Sequence, residues 1–273
     1  MSSIPVAEIF GPTLQGEGRL AGVSTYFLRT GGCDFACAWC DSKQAVLAEE
    51  VRGLPRIPVE QLADQLVLLR QRRPGANWLT LSGGNPALYD LSAIVRAWHD
   101  QDEGEFQTCK VNIETQGTRW SDWMRQLDLI TVSPKGPSSG MKMGNDFAHF
   151  MVEACSLGVP PRVVLKVVVF DEADYLFAQA VHHRYQLVPF YLSCGTASGG
   201  LSGRWVPSNF HSKDVREQTE LSWTYESYLD TKDDLLVRYR WLAERAMNDP
   251  AMADVAILPQ LHALIWGITA RGV

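Results

Sequence analysis

Short apolar runs along the chain alternate with stretches whose apolar residues recur every three or four positions. Tyr26–Arg29, Trp78–Leu81, Lys110–Ile113, Leu129–Val132, Val163–Val169 and Val188–Leu192 read as strands. Between Pro58 and Arg72, Leu62, Leu66 and Leu69 fall at helical spacing, and Pro74-Gly75 ends the pattern. Comparable spacing predicts helices over 90–99, 120–127, about 147–156, 172–183 and 233–247. A last strand is expected at Val255–Leu258 and a short helix at Leu261–Trp266. Strands alternating with helices predict an α/β chain built from parallel βαβ units. One stretch, 195–213, breaks the rhythm: it is rich in Gly and Ser and carries Trp205, Pro207 and Phe210. A lid, an interaction loop and an unstructured piece all fit such a segment. With no internal repeat and no linker, the expectation is a single domain over 1–273 with an irregular insertion near 195–213.

The polar residues fall in a pattern of their own. The cysteine-bearing loop after Arg29, Ser82-Gly-Gly-Asn85, Glu114-Thr115 and Ser133-Pro-Lys135 each follow a predicted strand directly. In parallel α/β sheets and barrels the carboxyl ends of the strands line the active site. Four polar stretches would therefore converge on one rim, as an enzyme requires.

Composition narrows the partners. The formal net charge is −6, and no Lys/Arg run exceeds the pair Arg72-Arg73, so the basic face of a nucleic-acid binder is not expected. No apolar run approaches the ~20 residues that span a bilayer, and Met1-Ser-Ser-Ile-Pro5 lacks the features of a signal peptide. The expected location is the cytoplasm, where clustered cysteines read as metal ligands before disulfides.

Cys33, Cys37 and Cys40 are spaced C-x3-C-x2-C, three thiols within eight residues. Structural zinc normally takes four ligands from two well-separated pairs, and no second pair exists here. Three thiolates can instead hold three irons of a [4Fe–4S] cluster and leave the fourth open to a chelating molecule. Cys109, Cys155 and Cys194 are scattered singly; the first two read as small buried hydrophobes, and Cys194 ends an apolar run. Asp41-Ser42 suits either a helix cap or a hard oxygen contact for Mg2+. The Glu8–Gly18 segment is too Gly-rich for a helix and too polar for core. Arg29 and Lys166 are charges inside apolar strands, costly unless paired. Arg29 suits a carboxylate or polar heterocycle; for Lys166 an internal acid is the simplest partner.

The cysteine spacing, with Trp39 before the last thiol, resembles the radical S-adenosylmethionine (SAM) superfamily. Ser82-Gly-Gly-Asn-Pro86 resembles its Gly-Gly-Glu-Pro motif, with Asn85 at the acidic position, where an amide oxygen can still accept from the methionyl ammonium. Together with Gln15-Gly-Glu-Gly18, Arg29, Glu114-Thr-Gln-Gly117, Ser133-Pro-Lys135, Leu258–Gly267 and Arg271-Gly-Val273, the set resembles the 7-carboxy-7-deazaguanine synthase family, except over about 195–249. That resemblance implies a modified, incomplete (β/α) barrel with a mainly parallel sheet, and a homodimer. It implies a lyase converting 6-carboxy-5,6,7,8-tetrahydropterin to 7-carboxy-7-deazaguanine with loss of ammonia, on the route to queuosine. A [4Fe–4S] cluster on Cys33, Cys37 and Cys40, SAM, and Mg2+ at Ser42 are the implied cofactors, with flavodoxin or ferredoxin as reductant. Trp39, Gly84, Asn85, Glu114, Ser133, Pro134 and Lys135 are the implied cofactor contacts. Leu14, Gln15, Gly16, Arg29, Ser82 and Val273 are the implied substrate contacts. Two rivals share the cysteines: a glycyl-radical-enzyme activase, and an iron–sulfur electron carrier.

Overall fold

The computed structural model describes residues 2–101, 108–158, 162–196 and 232–267. Its centre is one open sheet of nine strands: β1 (Ser3–Leu14), β2 (Ser24–Thr30), β3 (Arg56–Pro58), β4 (Trp78–Gly83), β5 (Lys110–Thr115), β6 (Leu129–Val132), β7 (Val163–Val169), β8 (Phe190–Cys194) and β9 (Ala256–Leu258). The order is β3-β1-β2-β4-β5-β6-β7-β8-β9. From β2 to β9 every pairing is parallel, whereas β1 runs antiparallel to both β2 and β3. The sheet is therefore mixed but mostly parallel, and it does not close into a barrel. The helices are α1 (Ala48–Gly53), α2 (Val59–Arg72), α3 (Ser92–His99), α4 (Asn145–Cys155), α5 (Glu172–Arg184), α6 (Lys232–Met247) and α7 (Leu261–Trp266).

Helices cover one side of the sheet, and the apolar residues between make the main core, with Tyr26 edge-on to Trp98 at its centre. β7 is buried at every position, which explains why its sequence reads as a continuous apolar run rather than an alternation. No helix among the described residues is long and apolar enough to cross a membrane.

Three elements differ from the sequence pattern. Residues 120–127 do not form an α-helix: only Asp122–Gln126 coils, as a 3-10 turn, because Trp123 and Met124 are buried side by side and a single turn suffices. The strand expected at 188–192 starts later, at Phe190. Pro189 precedes it, and its missing N–H restricts it to the strand's entry, where its carbonyl accepts from Leu165. The polar Glu8–Leu14 stretch lies in β1, whose pairing with β2 slips between Val6 and Glu8 and again between Phe10 and Thr13. Those irregularities blur the period-two alternation by which a strand is read. Residues 197–213 of the irregular stretch, and Val273, lie outside the described residues.

Candidate active site

At the carboxyl ends of β2, β4, β5, β6 and β7 a single cavity opens, enclosing about 950 Å3 including its mouth. β2 delivers the chain to Gly31-Gly32, where Gly32 takes a positive φ of 94° and its N–H bonds to Ala45 O at 2.7 Å. The loop then turns back, with Cys40 N on Cys37 O at 3.1 Å and Ala38 N on Ser139 O at 3.0 Å. Cys33, Cys37 and Cys40 all reach the cavity wall. Burial pushes all three thiols up, Cys40 to about 11 with Asp41 adding to the effect. Bare thiols here are unreactive, and a metal's positive charge is what favours thiolates. Among the described residues no three His, Cys, Asp or Glu side chains are grouped to hold one ion.

The Gly-Gly turn of β4 presses against this loop. A Cβ on Gly84 would lie 2.0 Å from Gly32 O, and one on Gly83 2.1 Å from Thr30 O. The close approach is fixed by Gly84 N on Thr30 O (3.0 Å) and Asn85 N on Gly32 O (2.8 Å). The result is a backbone ledge beside the thiols, the cradle that an amino-acid ligand of an open iron requires. Gly84→Ala is expected to destabilise the iron-free protein by about 2–3 kcal/mol, measured by urea unfolding, because the obstructing atoms are backbone and cannot swing away.

The ledge is flanked by Ser82, whose buried hydroxyl has no hydrogen-bond partner among the described residues and lies at the cavity. On the far side Lys135 Nζ donates to Ser133 Oγ at 3.0 Å and lies 5.6 Å from the Trp39 ring centroid. Trp39 donates through Nε1 to Ser138 Oγ at 2.8 Å and packs on Phe170. Three thiols, a glycine ledge and an orphan hydroxyl form a donor set that fits a cluster carrying a small amino-acid ligand.

Opposite the thiols the wall is charged. Arg29 Nε pairs with Glu8 Oε2 at 3.1 Å, while its Nη1 donates to Ser42 Oγ at 2.8 Å. Ser42 Oγ in turn donates to Asp41 Oδ1 at 3.1 Å. Deeper in, Lys166 Nζ pairs with Glu17 and lies 3.6 Å from Glu114 Oε1. Gln15 Nε2 reaches Glu114 Oε1 at 3.2 Å, Gln260 Nε2 donates to Glu17, and Thr196 Oγ1 donates to Gln260. Burial alone would raise the Glu17 carboxyl, but the ammonium of Lys166 outweighs it and holds Glu17 at about 2. Lys166 is correspondingly pushed above its ordinary value: burial opposes the charge, and Glu17 and Glu114 overcome that.

Of the residues singled out from sequence, Cys33, Cys37, Trp39, Cys40, Ser42, Arg29, Ser82, Gly84, Glu114, Ser133 and Lys135 line this cavity. Gln15 stands behind Glu114, and Gly16 is covered by α7, where a Cβ would strike the His262 ring at 2.2 Å. Leu14 ends β1, Pro134 is buried in the turn after β6, and Asn85 points away into the protein. Glu17, Gln116, Thr196 and Gln260 also line the cavity but were not singled out from sequence. Glu17, Gln116 and Gln260 lie within the motifs Gln15–Gly18, Glu114–Gly117 and Leu258–Gly267, Glu17 being also the acid that Lys166 demanded; Thr196 carried no signal.

A cysteine loop beside a glycine ledge, on the strand ends of an open parallel sheet, defines a radical SAM enzyme. Residues 27–153 match the Radical SAM superfamily, and the fold is similar to the crystal structure of QueE from Escherichia coli (TM-score 0.59, 19% identity, 94% of both chains covered). The chain is 40% identical over 275 residues to the 7-carboxy-7-deazaguanine synthase of Bacillus cereus, covering 100% of each. To that of Bacillus subtilis it is 35% identical over 274 residues, covering 99% of this chain and 98% of the other. The chain belongs to the 7-carboxy-7-deazaguanine synthase family.

Proposed function

We propose that this chain is a radical SAM lyase that converts 6-carboxy-5,6,7,8-tetrahydropterin to 7-carboxy-7-deazaguanine and ammonia, in queuosine and 7-deazapurine biosynthesis. The observation that carries the reading is one cavity lined by three thiols together with Arg29, Glu17 and Glu114. Cys33, Cys37 and Cys40 would hold the [4Fe–4S] cluster; the Gly83-Gly84 ledge, Ser133 and Lys135 would hold SAM. When bound, the cluster and SAM supply one-electron cleavage and a hydrogen-abstracting radical, chemistry no side chain here provides.

The chain's own residues bind, orient and exclude water. Arg29 offers a planar fork suited to the substrate carboxylate. Glu17, kept ionised beside Lys166, accepts hydrogen bonds from the N–H groups of the aminopyrimidine, and Glu114 remains the proposed contact for the nucleoside part of SAM. Ser82 Oγ, unpartnered at the cavity wall, is a donor and acceptor for the ligand. Ser42 is the proposed Mg2+ contact; its oxygen accepts from Arg29 Nη1 and keeps a second lone pair that the metal would take. A homodimer in the cytoplasm, reduced by flavodoxin or ferredoxin, completes the reading.

Incubating the reconstituted protein with the carboxypterin and SAM tests it. Ammonia release with formation of the deazapurine is expected, and no turnover by cluster-loaded protein overturns it. An activase would instead need a protein substrate. An electron carrier would give the same reduced-cluster spectrum with and without SAM. Arg29→Lys is expected to raise the KM for the pterin about tenfold or more, about 1.4 kcal/mol, because an ammonium loses the paired geometry. Steady-state ammonia release measures the change.

A further inference from the structure

Asn85 is fully buried, and its amide is wholly spent inside the protein. Nδ2 donates to Asp34 Oδ1 at 2.9 Å and to Thr118 Oγ1 at 3.3 Å. Oδ1 accepts from Thr115 Oγ1 at 2.9 Å and from Ala87 N at 3.3 Å. Two donors and two acceptors on one short side chain are what an amide supplies; a carboxylate of the same shape supplies acceptors only. No lone pair is left to receive a ligand's ammonium.

The residue that Asn85 serves is Asp34, next in the chain to the first cysteine of the loop. Asp34 also accepts from Gln116 Nε2, and from Thr118 Oγ1 at 2.5 Å. Gln116 Nε2 lies 3.6 Å from Cys33 Sγ as well. The hub thus joins the cysteine loop, the turn after β4 and the segment after β5, three pieces that share no covalent neighbour. Its geometry needs a neutral donor at 85, because a carboxylate there would face the Asp34 carboxylate at hydrogen-bonding distance.

We infer that Asn85 is a positioning residue that acts through Asp34, fixing the cysteine loop against the glycine ledge and holding the Gln116 amide on Cys33. This rests on the reading that the three thiols hold a cluster, and it is independent of which substrate the enzyme takes. Hydrogen bonds to ligating sulfur are among the levers that set a cluster's potential, so the hub affects both retention of the cluster and its ease of reduction.

The test is a double-mutant cycle of Asn85→Asp, Asp34→Asn and the reciprocal pair, on anaerobically reconstituted protein. Asn85→Asp is expected to lose iron to a chelator about tenfold faster than the unaltered protein, as for loss of one charge-assisted hydrogen bond. Its midpoint potential moves to more negative values. The reciprocal pair restores the net charge and a donor–acceptor contact between positions 34 and 85, so iron retention returns towards the starting value; the potential stays shifted, because an amide nitrogen at 34 cannot accept from Gln116. Unaltered iron loss and potential in Asn85→Asp, or a reciprocal pair no better than the sum of its singles, overturns the inference. Melting of the iron-free variants reads the same coupling without a cluster, and Asn85→Ala replaces Asn85→Asp if the latter does not fold. Unaltered protein that binds no iron, or binds it and releases no ammonia, is a failure of the functional reading and is visible before any variant is made.

Discussion

Lys166→Met lowers the stability of the iron-free protein by about 3–5 kcal/mol, the usual cost of stripping one partner from a buried ion pair. The Lys166 side chain is 6% exposed, and those of Glu17 and Glu114 are 11% and 23% exposed. Met fills the volume of the lysine stem but leaves two carboxylates without their counter-charge. The pH dependence gives the sharper readout. In the unaltered chain Glu17 is held at about 2, against 4.5 for the free group. The stability it contributes is therefore complete above about pH 4.5 and is lost as pH falls towards 2. In Lys166→Met the main force lowering Glu17 is gone, leaving His262 and the Gln260 hydrogen bond against burial, so its folded value moves up towards or past the unfolded one. Less stability is then lost as pH falls from 4.5 towards 2. Urea unfolding at several pH values measures this; a Lys166→Met protein with the unaltered slope would remove the ion pair from any role in the fold.

Cys37→Ala abolishes ammonia release and iron–sulfur absorbance together, with little change in the melting of the iron-free protein. Two thiolates cannot hold the three irons that leave a fourth open, so the loss is complete rather than graded. The thiol itself is only partly covered by its neighbours, so removing its sulfur leaves no core cavity. Iron content and ammonia release on the same preparation check the result. A variant that keeps both would overturn the assignment of the three cysteines.

The parallel half of the sheet was legible because β4 to β7 are short apolar runs, and β4, β5 and β6 each end in a polar cluster that marks the rim. Lys166 was legible as a question: a charge in an otherwise apolar strand requires an acid, and Glu17 and Glu114 answer it across more than fifty residues of sequence. β1 was not legible as a strand, since its slips in register against β2 break the alternation by which a strand is read. Asn85 was placed correctly in the chain but not in space. Sequence spacing puts it beside the thiols, yet the direction of its side chain is set by Asp34, Thr115 and Thr118, and no local pattern reports those partners. Thr196 was silent for the same reason.

The backbone N–H of Leu261 bonds to Gly16 O at 3.0 Å, and His262 covers Gly16 so closely that only glycine fits. Gln260, one residue earlier, holds Glu17. The charged wall of the cavity thus joins residues made at the beginning of translation to residues made some two hundred and forty-five positions later. The thiol wall leans on the turn after β4, on Gln116, on Ser138-Ser139 and on Phe170, but its described contacts do not involve α7. During synthesis the half that starts a radical can therefore take shape well before the half that shields it, and the wait between them ends only when Leu261 leaves the ribosome.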